Sequence, residues 1–453
     1  MNESEISSPD FNRRDFLKSG SVATLMTMLG GVELLAETNG APASTKPVVK
    51  TKVAVIGLGT WGREILNTLA VIDEADVAVI CDTYPASVRR SASSAPNAAQ
   101  TEDYKTILAN KDVKAVIVAT PTHQHKSITL DALKAGKHVY CEAPLAGTID
   151  DARAIALAAK AAKQCVFQAG LQLRADPQRH FLVPFIRSGA IGQSLLARAQ
   201  YHKKQSWRAT SPKPEREKEL NWRLSKETSI GLVGEVGSHA IDQAAWFLNL
   251  QPAAVTGFGS VAFWKDGRDV PDTVQVVLEF QGGVNLHYDA TLANSFDAEY
   301  QLFYGSDAAV MLRDSKAWLF KEVDSPLLGW EVYASKETFY KETGIVLKAG
   351  ASKSVPANAA QAQESPFANT PLFSALTTFL RNCADMSGAI EDAINSFGAD
   401  DTENIAAQVA KVHIRPCAGY LEAFQSSVTV IKANEAVLSG QRIVLKAEWY
   451  ELA

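Results

Sequence analysis

Short apolar runs alternate with amphipathic stretches over residues 51–169, and this alternation predicts an α/β domain with a parallel sheet. Residues 53–56 form the first apolar run, which is typical of a strand buried on both faces. Further strands are predicted at 77–81, 116–119, 138–141 and 165–169, and helices at 63–70, from about 125 to 135 and from 148 to about 163.

The pattern changes after residue 172, where strands follow one another with few helices between them. In residues 273–280, Val274, Val276 and Leu278 alternate with other side chains, as in a strand with one buried face. Glycine-containing turn sequences at 281–283 and 305–307 separate neighbouring strands. The predicted strands are 195–204, 254–263, 273–280, 284–293 and 299–304, and residues 417–438 predict an amphipathic helix that packs back on the rest.

The N-terminus predicts an export signal. Arg13 and Arg14 precede Phe-Leu-Lys at 16–18 and resemble a twin-arginine motif. The uncharged, largely apolar run 19–32 is shorter than the roughly 18 or more residues of a spanning helix, and small residues at 41–43 suit cleavage. We expect 1–43 to be a signal peptide, 44–50 a linker, and the mature chain to be periplasmic or otherwise extracytoplasmic without a membrane span. An uncleaved anchor, or an arginine pair that arose by chance, is the alternative.

Composition excludes several classes of partner. The 453 residues carry 45 basic and 50 acidic side chains, so no basic surplus exists to neutralise nucleic acid. Five cysteines without metal-binding spacing support neither a disulfide scaffold nor a zinc finger. His123 and His125 have no evident third ligand, so no metal site is expected.

A glycine-rich loop follows the first strand with the spacing GxGxxG. Gly57 permits the tight turn, Gly59 lets the backbone approach a pyrophosphate, and Gly62 allows close helix packing. Thr60 and Trp61 open the following helix, whose free amides suit phosphate binding. The loop predicts a dinucleotide-binding domain.

Asp82 ends the second predicted strand, about twenty residues after the glycine loop, where an acid binds the ribose diol of NAD. Its charge would repel the 2′-phosphate of NADP, and no arginine follows it immediately. We therefore expect NAD(H) as the cofactor.

Four stretches together resemble the Gfo/Idh/MocA oxidoreductase family: 57–62, 119–125, 135–144 and 231–242. The resemblance implies a Rossmann domain at 51–172 and, at 173–453, a substrate-binding α/β domain with a large open antiparallel sheet. It also implies a carbohydrate substrate, and homo-oligomers formed through the sheet are common in that family. Further cofactor-binding roles are implied for Thr120, Pro121, His125, Glu142 and Pro144.

Three residues of the stretch 231–242 suggest a catalytic group. On one helix, Glu235, His239 and Asp242 would share a face, and two carboxylates beside a histidine would fix its tautomer and raise its basicity. The alternative is an interface histidine beside solvated acids. Lys203 and Tyr201 are the next candidates for the proton-transfer role, and Arg174, Trp222 and Arg223 are expected to bind substrate. The charged segment 212–219 is expected to be a solvated loop.

One departure from the family pattern stands at Ala143, where relatives usually have the lysine of Glu-Lys-Pro that helps to remove the hydroxyl proton. The main expectation remains an NAD(H)-dependent sugar oxidoreductase with a tightly bound cofactor. An NAD-dependent glycosidase is the first alternative, since some glycosidases that resemble this family also lack the lysine. A non-catalytic NAD- or sugar-binding module is the second.

Overall fold

The computed structural model describes residues 49–452, apart from 315, 328–330, 332–333, 335, 340–341 and 348–368. The predicted twin-arginine signal lies outside the described residues. Within the described part of the chain, no helix combines the length and apolarity needed to cross a membrane.

The first sheet has six parallel strands in the order β3-β2-β1-β4-β5-β6. Its strands are β1 (Thr51–Ile56), β2 (Ala75–Cys81), β3 (Ala99–Thr101), β4 (Ala115–Val118), β5 (His138–Cys141) and β6 (Phe167–Ala169). The accompanying helices are α1 (Thr60–Leu69), α2 (Pro85–Ser91), α3 (Tyr104–Ala109), α4 (His125–Lys134) and α5 (Ile149–Ala161). The strand order reverses between β1 and β4, and in such sheets ligands bind beyond the carboxyl ends of the strands at this point.

The second sheet has ten strands in the order β14-β15-β13-β12-β11-β7-β10-β9-β8-β16. Its strands are β7 (Ser194–His202), β8 (Pro252–Ser260), β9 (Thr273–Phe280), β10 (Asn285–Thr291), β11 (Glu299–Gly305), β12 (Ala308–Arg313), β13 (Lys316–Lys321), β14 (Lys336–Phe339), β15 (Glu342–Val346) and β16 (Ile443–Val444). The pair β7–β10 is parallel and the other pairs are antiparallel. The predicted fold class, a Rossmann domain followed by an α/β domain with a large open sheet, is therefore confirmed, although the sheet is mixed.

The remaining helices cover these sheets and join them. They are α6 (Pro177–Arg187), α7 (Pro214–Leu220), α8 (Gly231–Glu235), α9 (Gly237–Leu248), α10 (Pro371–Phe397), α11 (Thr402–Val409) and α12 (Tyr420–Ser439). Helix α12 packs on both β8 and α5, so it ties the second sheet to the Rossmann domain.

Helices α10 and α11 depart from the predicted division of the chain at 172/173. Leu376 and Phe379 of α10 are fully buried in one apolar cluster with Val53 and Val55 of β1. Because β1 is apolar on both faces, its second face needs a cover, and α10 supplies it. Residues 371–409 thus complete the core of the first sheet rather than that of the second.

Between β7 and α8 the chain makes a long excursion over the cleft between the two sheets, which we call the crossing segment (residues 203–230). The sequence predicts a solvated loop at 212–219, but α7 forms there. Asn221 fixes it by accepting from the Ala209 amide at 2.8 Å and donating to the Ala209 carbonyl at 2.8 Å. The segment therefore has a defined path across the cleft.

Candidate functional site

The glycine loop connects β1 to α1 in the geometry that a dinucleotide requires. Gly57 has φ +96°, and a Cβ there would lie 2.6 Å from the Ala119 carbonyl oxygen. A Cβ at Gly62 would lie 1.9 Å from the Gly57 oxygen, so both positions exclude a side chain. At Gly59, in contrast, no described atom lies within 4 Å of the Cβ position. The loop therefore packs against the protein at Gly57 and Gly62, whereas the space beside Gly59, the glycine expected to face a pyrophosphate, is free of described protein atoms.

Asp82 lies immediately after β2 with its carboxylate fixed by two backbone amides. Its oxygens accept from Leu58 N at 2.9 Å and from Tyr84 N at 2.8 Å. The sequence gives no arginine directly after Asp82, but Arg216 of α7 reaches it from the second domain, with Nη2 3.7 Å from Asp82 Oδ1. Only the fold reveals this neighbour.

His125 does not have the role expected of it. Its Nδ1 lies 3.0 Å from the Pro144 carbonyl oxygen and its Nε2 lies 2.9 Å from the Thr120 carbonyl oxygen. Both nitrogens thus face backbone carbonyls, and because burial lowers the pKa of the ring to about 4, the neutral ring donates to one of them at a time. His125 is not available to line the nicotinamide; it braces the loops after β4 and β5 against each other.

Glu142 follows β5 and is buried. The Trp61 side chain and the Ala143 amide donate to its carboxylate, while Oε1 has no partner in the described part of the chain. Burial raises the pKa of Glu142 to about 7, although both donors oppose this shift. Gly170 makes room for the side chain, since a Cβ there would lie 2.3 Å from Glu142 Oε2.

The prediction that Glu235, His239 and Asp242 share one face of one helix is wrong. Glu235 ends α8, and Val236, at φ −129° and ψ −30°, separates it from α9, which holds the other two. The Glu235 carboxylate accepts instead from Thr122 Oγ1 at 3.1 Å and from Ser229 Oγ at 3.3 Å. Glu235 is thereby a link between the Rossmann loop after β4 and the second domain.

Asp242 is also turned away from the histidine. It forms a paired contact with Arg174, at 2.8 Å to Nε and 3.0 Å to Nη2. Both side chains are largely buried, and the Arg174 guanidinium lies 5.3 Å from the ring centre of Trp246. Asp242 therefore engages two of the five N–H groups of Arg174, and the expected substrate contact of Arg174 stays a prediction.

His239 is left without the two carboxylates predicted to flank it. Its Nδ1 is buried and has no hydrogen-bond partner among the described residues. Burial lowers the pKa of His239 to about 4, so the imidazole is neutral at neutral pH. The predicted increase in basicity is wrong, but a neutral ring with an unpartnered nitrogen still suits a contact with a substrate hydroxyl.

Tyr201, near the end of β7, lies in a polar cluster. Its hydroxyl oxygen accepts from Gln205 Nε2 at 3.2 Å, which leaves the O–H free to donate. Lys203 is exposed one residue beyond β7, and its backbone amide donates to the Thr291 carbonyl at 3.0 Å. Burial raises the pKa of Tyr201, and the Arg223 charge opposes this shift.

A buried tyrosine on the adjacent strand escaped sequence reasoning. Tyr288 lies on β10 with its ring against Gly237, where a Cβ would meet the hydroxyl oxygen at 3.0 Å. No described residue pairs with that hydroxyl. The only indication in the sequence is that Tyr288, a residue with a polar hydroxyl, occupies a core-facing position of the alternating strand β10.

Aromatic side chains of the crossing segment flank one arginine. The Arg223 guanidinium lies 4.5 Å from the ring centre of Trp222 and 5.7 Å from that of Trp207. Arg223 Nε is 3.9 Å from Glu235, and His123 packs edge-on against Trp222 at 6.0 Å. Trp207 has φ +62°, a left-handed conformation that costs a bulky residue free energy and is found mainly at functional sites. We call Trp207, Trp222 and Arg223 the aromatic wall.

The residues present fit a bound NAD. Gly59 offers an open approach to backbone amides at the start of α1, and Asp82 stands where the ribose diol binds. Thr120 Oγ1 and Glu142 Oε1 are buried without partners in the described structure, so each suits a polar group of a ligand. Among the described residues, no group of three or more potential metal ligands is found.

Comparison with known proteins also indicates an NAD-binding domain. Residues 51–170 match an oxidoreductase family with an NAD-binding Rossmann fold, and residues 183–310 match the GFO/IDH/MocA C-terminal domain. Levoglucosan dehydrogenase of Pseudarthrobacter phenanthrenivorans is 30% identical over 212 residues, which are 42% of this chain and 52% of the relative. A glycosyl hydrolase family 109 protein of Shewanella pealeana is 27% identical over 216 residues, 43% of this chain and 47% of the relative.

The chain thus spans about half the length of the curated relatives it matches. The structure of levoglucosan dehydrogenase in complex with NADH and levoglucosan has a similar fold, with a TM-score of 0.62 at 19% identity over 87% of this chain and 99% of that one. The two family matches together span more than half of the 453 residues and fall on the two sheets described above. The chain therefore belongs to the GFO/IDH/MocA oxidoreductase family and has its NAD-binding Rossmann domain.

Proposed function

We propose that the protein is an exported NAD(H)-dependent carbohydrate oxidoreductase acting on a CH–OH group of a sugar or glycoside. The observation that carries the proposal is the juxtaposition of a dinucleotide cradle with an aromatic wall. Thr122 of the Rossmann domain donates to Glu235, and Glu235 lies 3.9 Å from Arg223 of the wall. Rings and a guanidinium at this distance from the cofactor loops suit stacking on a sugar and hydrogen bonds to its hydroxyls.

The matched relatives support a sugar substrate, since one is named for levoglucosan and another for glycoside hydrolysis. Bound nicotinamide would supply the acceptor and donor of hydride. Gly59, Thr60 and Trp61 would hold the pyrophosphate of NAD in a loop whose close packing depends on Gly57 and Gly62. Asp82 would bind the adenosine ribose, and Thr120 and Glu142 would line the nicotinamide end.

Another residue must accept the hydroxyl proton, because Ala143 has no group that exchanges a proton. We assign this step to His239, whose neutral ring has an unpartnered Nδ1. As hydride leaves the carbon, Nδ1 would take the hydroxyl proton; because the ring has a pKa of about 4, it holds this proton weakly and would give it back when hydride returns. We assign to Tyr201, whose O–H is free to donate, the polarisation of the resulting carbonyl.

Retention of the cofactor completes the proposal. Free NAD is expected to be scarce outside the cytoplasm, and an exported enzyme that exchanged it freely would stop after one turnover. The twin-arginine route carries folded proteins, so the dinucleotide would be enclosed before export. We therefore propose that hydride returns to the same substrate or passes to a second one, with no net change in the cofactor.

A second candidate function, an NAD-dependent glycosidase, is favoured by Ala143 and by the family 109 relative. Oxidation of a ring carbon to a ketone acidifies the neighbouring C–H, and loss of that proton eliminates the aglycone and leaves an unsaturated ketone. Water then adds at the anomeric carbon, and hydride returns to the ketone. Because the cofactor ends as it began, this reaction also suits a retained NAD.

One experiment separates the candidates. Purified protein is incubated without added NAD, first with chromogenic glycosides and then with free sugars, while aglycone release and cofactor reduction are followed. Cofactor reduction by a sugar alone supports the oxidoreductase, and aglycone release supports the glycosidase. Silence in both assays across a broad panel of sugars, with and without added NAD, would overturn both and favour a non-catalytic binding module.

A further inference from the structure

The crossing segment contains an arginine that the chemistry above does not use. Arg216 lies on α7, in the second domain, yet its side chain is only 17% exposed and faces the Rossmann domain. Its guanidinium lies 4.5 Å from the ring centre of Tyr84, two residues after Asp82. A cation this close to an aromatic face is attracted to the ring, and more strongly when water is excluded.

The polar atoms of Arg216 are only partly satisfied. Nη1 donates to Glu219 Oε2 at 2.9 Å, and Nη2 stands 3.7 Å from Asp82 Oδ1, beyond hydrogen-bond distance. Nε is buried and finds no partner in the structure as described. A buried donor without a partner indicates that another group completes the site.

The position of this donor indicates which group. Asp82 and Tyr84 follow β2, where the adenosine ribose binds in Rossmann domains. The planar guanidinium, unlike a lysine ammonium, stacks on flat rings and donates from a fixed fork. We propose that Arg216 is a contact from the second domain to the adenosine half of NAD(H), holding it against Tyr84 and Asp82 and slowing its release.

This inference deepens the proposed function, since it supplies a device for retaining the cofactor. It also assigns a role to α7: the helix carries Arg216 across the cleft, and Arg208–Glu217 at 2.6 Å and the Asn221–Ala209 contacts hold the helix in place. The aromatic wall and the adenosine contact then belong to one segment, which meets the Rossmann domain at Asp82 and Tyr84 and again at His123.

The test measures binding rather than turnover, so its failure and that of the proposed reaction are distinguishable. Cofactor-free wild type, Arg216→Ala, Arg216→Lys and Tyr84→Leu are titrated calorimetrically with ADP-ribose, nicotinamide mononucleotide, NAD and NADP. The NADH dissociation rate is measured by stopped-flow fluorescence. Lys218→Ala, an exposed position of the same helix, is the matched control.

Arg216→Ala is expected to weaken ADP-ribose binding and speed NADH release about tenfold, while binding of nicotinamide mononucleotide is unchanged. Arg216→Lys should recover only part of the lost affinity, and Lys218→Ala should bind ADP-ribose and release NADH as the wild type does. Tyr84→Leu tests the same contact from the Rossmann side and should reproduce the loss even if the arginine variants fold poorly. Unchanged ADP-ribose affinity in Arg216→Ala and Tyr84→Leu would overturn the proposal, as would a loss confined to NADP, which would make Arg216 a 2′-phosphate contact.

Discussion

The glycine loop and the crossing segment form opposite walls of one cleft, yet they are encoded in different ways. The glycine loop binds phosphate through its backbone, so three glycines at fixed spacing are enough to predict it. The crossing segment works through side chains that meet distant partners: Arg216 reaches Asp82, and Arg223 lies beside Trp207. The phosphate-binding loop is thus a local motif, whereas the adenosine contact that we propose for Arg216 and the aromatic wall both depend on the tertiary fold.

The largest expected effect lies at His239. Changing His239 to Ala should lower turnover by roughly 10²–10⁴, the usual scale for losing a proton-transfer group, while NAD binding and folding persist. Steady-state kinetics and NAD titration check this, and Glu235→Gln serves as a comparison because that carboxylate is engaged with Thr122 and Ser229. Near-native turnover in the His239 variant would move the role to Lys203 or Tyr201.

A matched pair of glycine variants tests the backbone wall. Gly59→Ala should keep the melting temperature of wild type, since the added Cβ meets open space, but should weaken NAD binding by about 10² or more because the Cβ occupies the approach to the pyrophosphate. Gly62→Ala should destabilise the fold itself, because its Cβ would lie 1.9 Å from the Gly57 oxygen. Thermal melts and calorimetric titration distinguish the two; equal behaviour of the variants would contradict the assignment of Gly59 to the ligand.

Glu142 predicts a pH-dependent stability. Because burial raises its pKa from 4.5 to about 7, the protonated acid is favoured by folding, and its contribution is full below pH 4.5 and lost as the pH rises through 7. Between pH 4.5 and 8 the wild type should therefore lose roughly 3 kcal/mol of unfolding free energy relative to Glu142→Gln. The unfolding free energies of both proteins, free of cofactor, are measured by urea titration. Their difference is free of the opposite contribution of the buried histidines, which the two proteins share. Parallel pH profiles would contradict the raised pKa of Glu142.

The smallest effect concerns the choice between NAD and NADP. Asp82 should favour NAD, but Arg216 offsets part of its charge, so we expect a preference of about tenfold rather than strict exclusion of NADP. Asp82→Asn should remove most of the preference by strengthening NADP binding. Direct titration with both dinucleotides checks this, and equal or tighter binding of NADP by the wild type would contradict the role of Asp82.

The same contrast explains how much of the site the sequence predicts. Strands β1, β2 and β9 and the glycine loop follow from apolar runs and glycine spacing, which are local. The helix break at Val236 could not be read from i, i+4 spacing, and it separated Glu235 from His239. The pairing of Arg174 with Asp242 could not be predicted, because the two residues are distant in sequence. Tyr288 and Trp207 carried no pattern that set them apart from core or surface aromatics.

Retention of the dinucleotide, which we propose for this protein, is tested most directly on the purified protein itself. The protein is dialysed extensively and denatured, and the supernatant is assayed for nicotinamide dinucleotide. We expect close to one NAD(H) per chain and catalysis without added cofactor. Protein that is free of cofactor, and that consumes one added NAD for each product formed, would contradict it and establish an ordinary exchanging dehydrogenase.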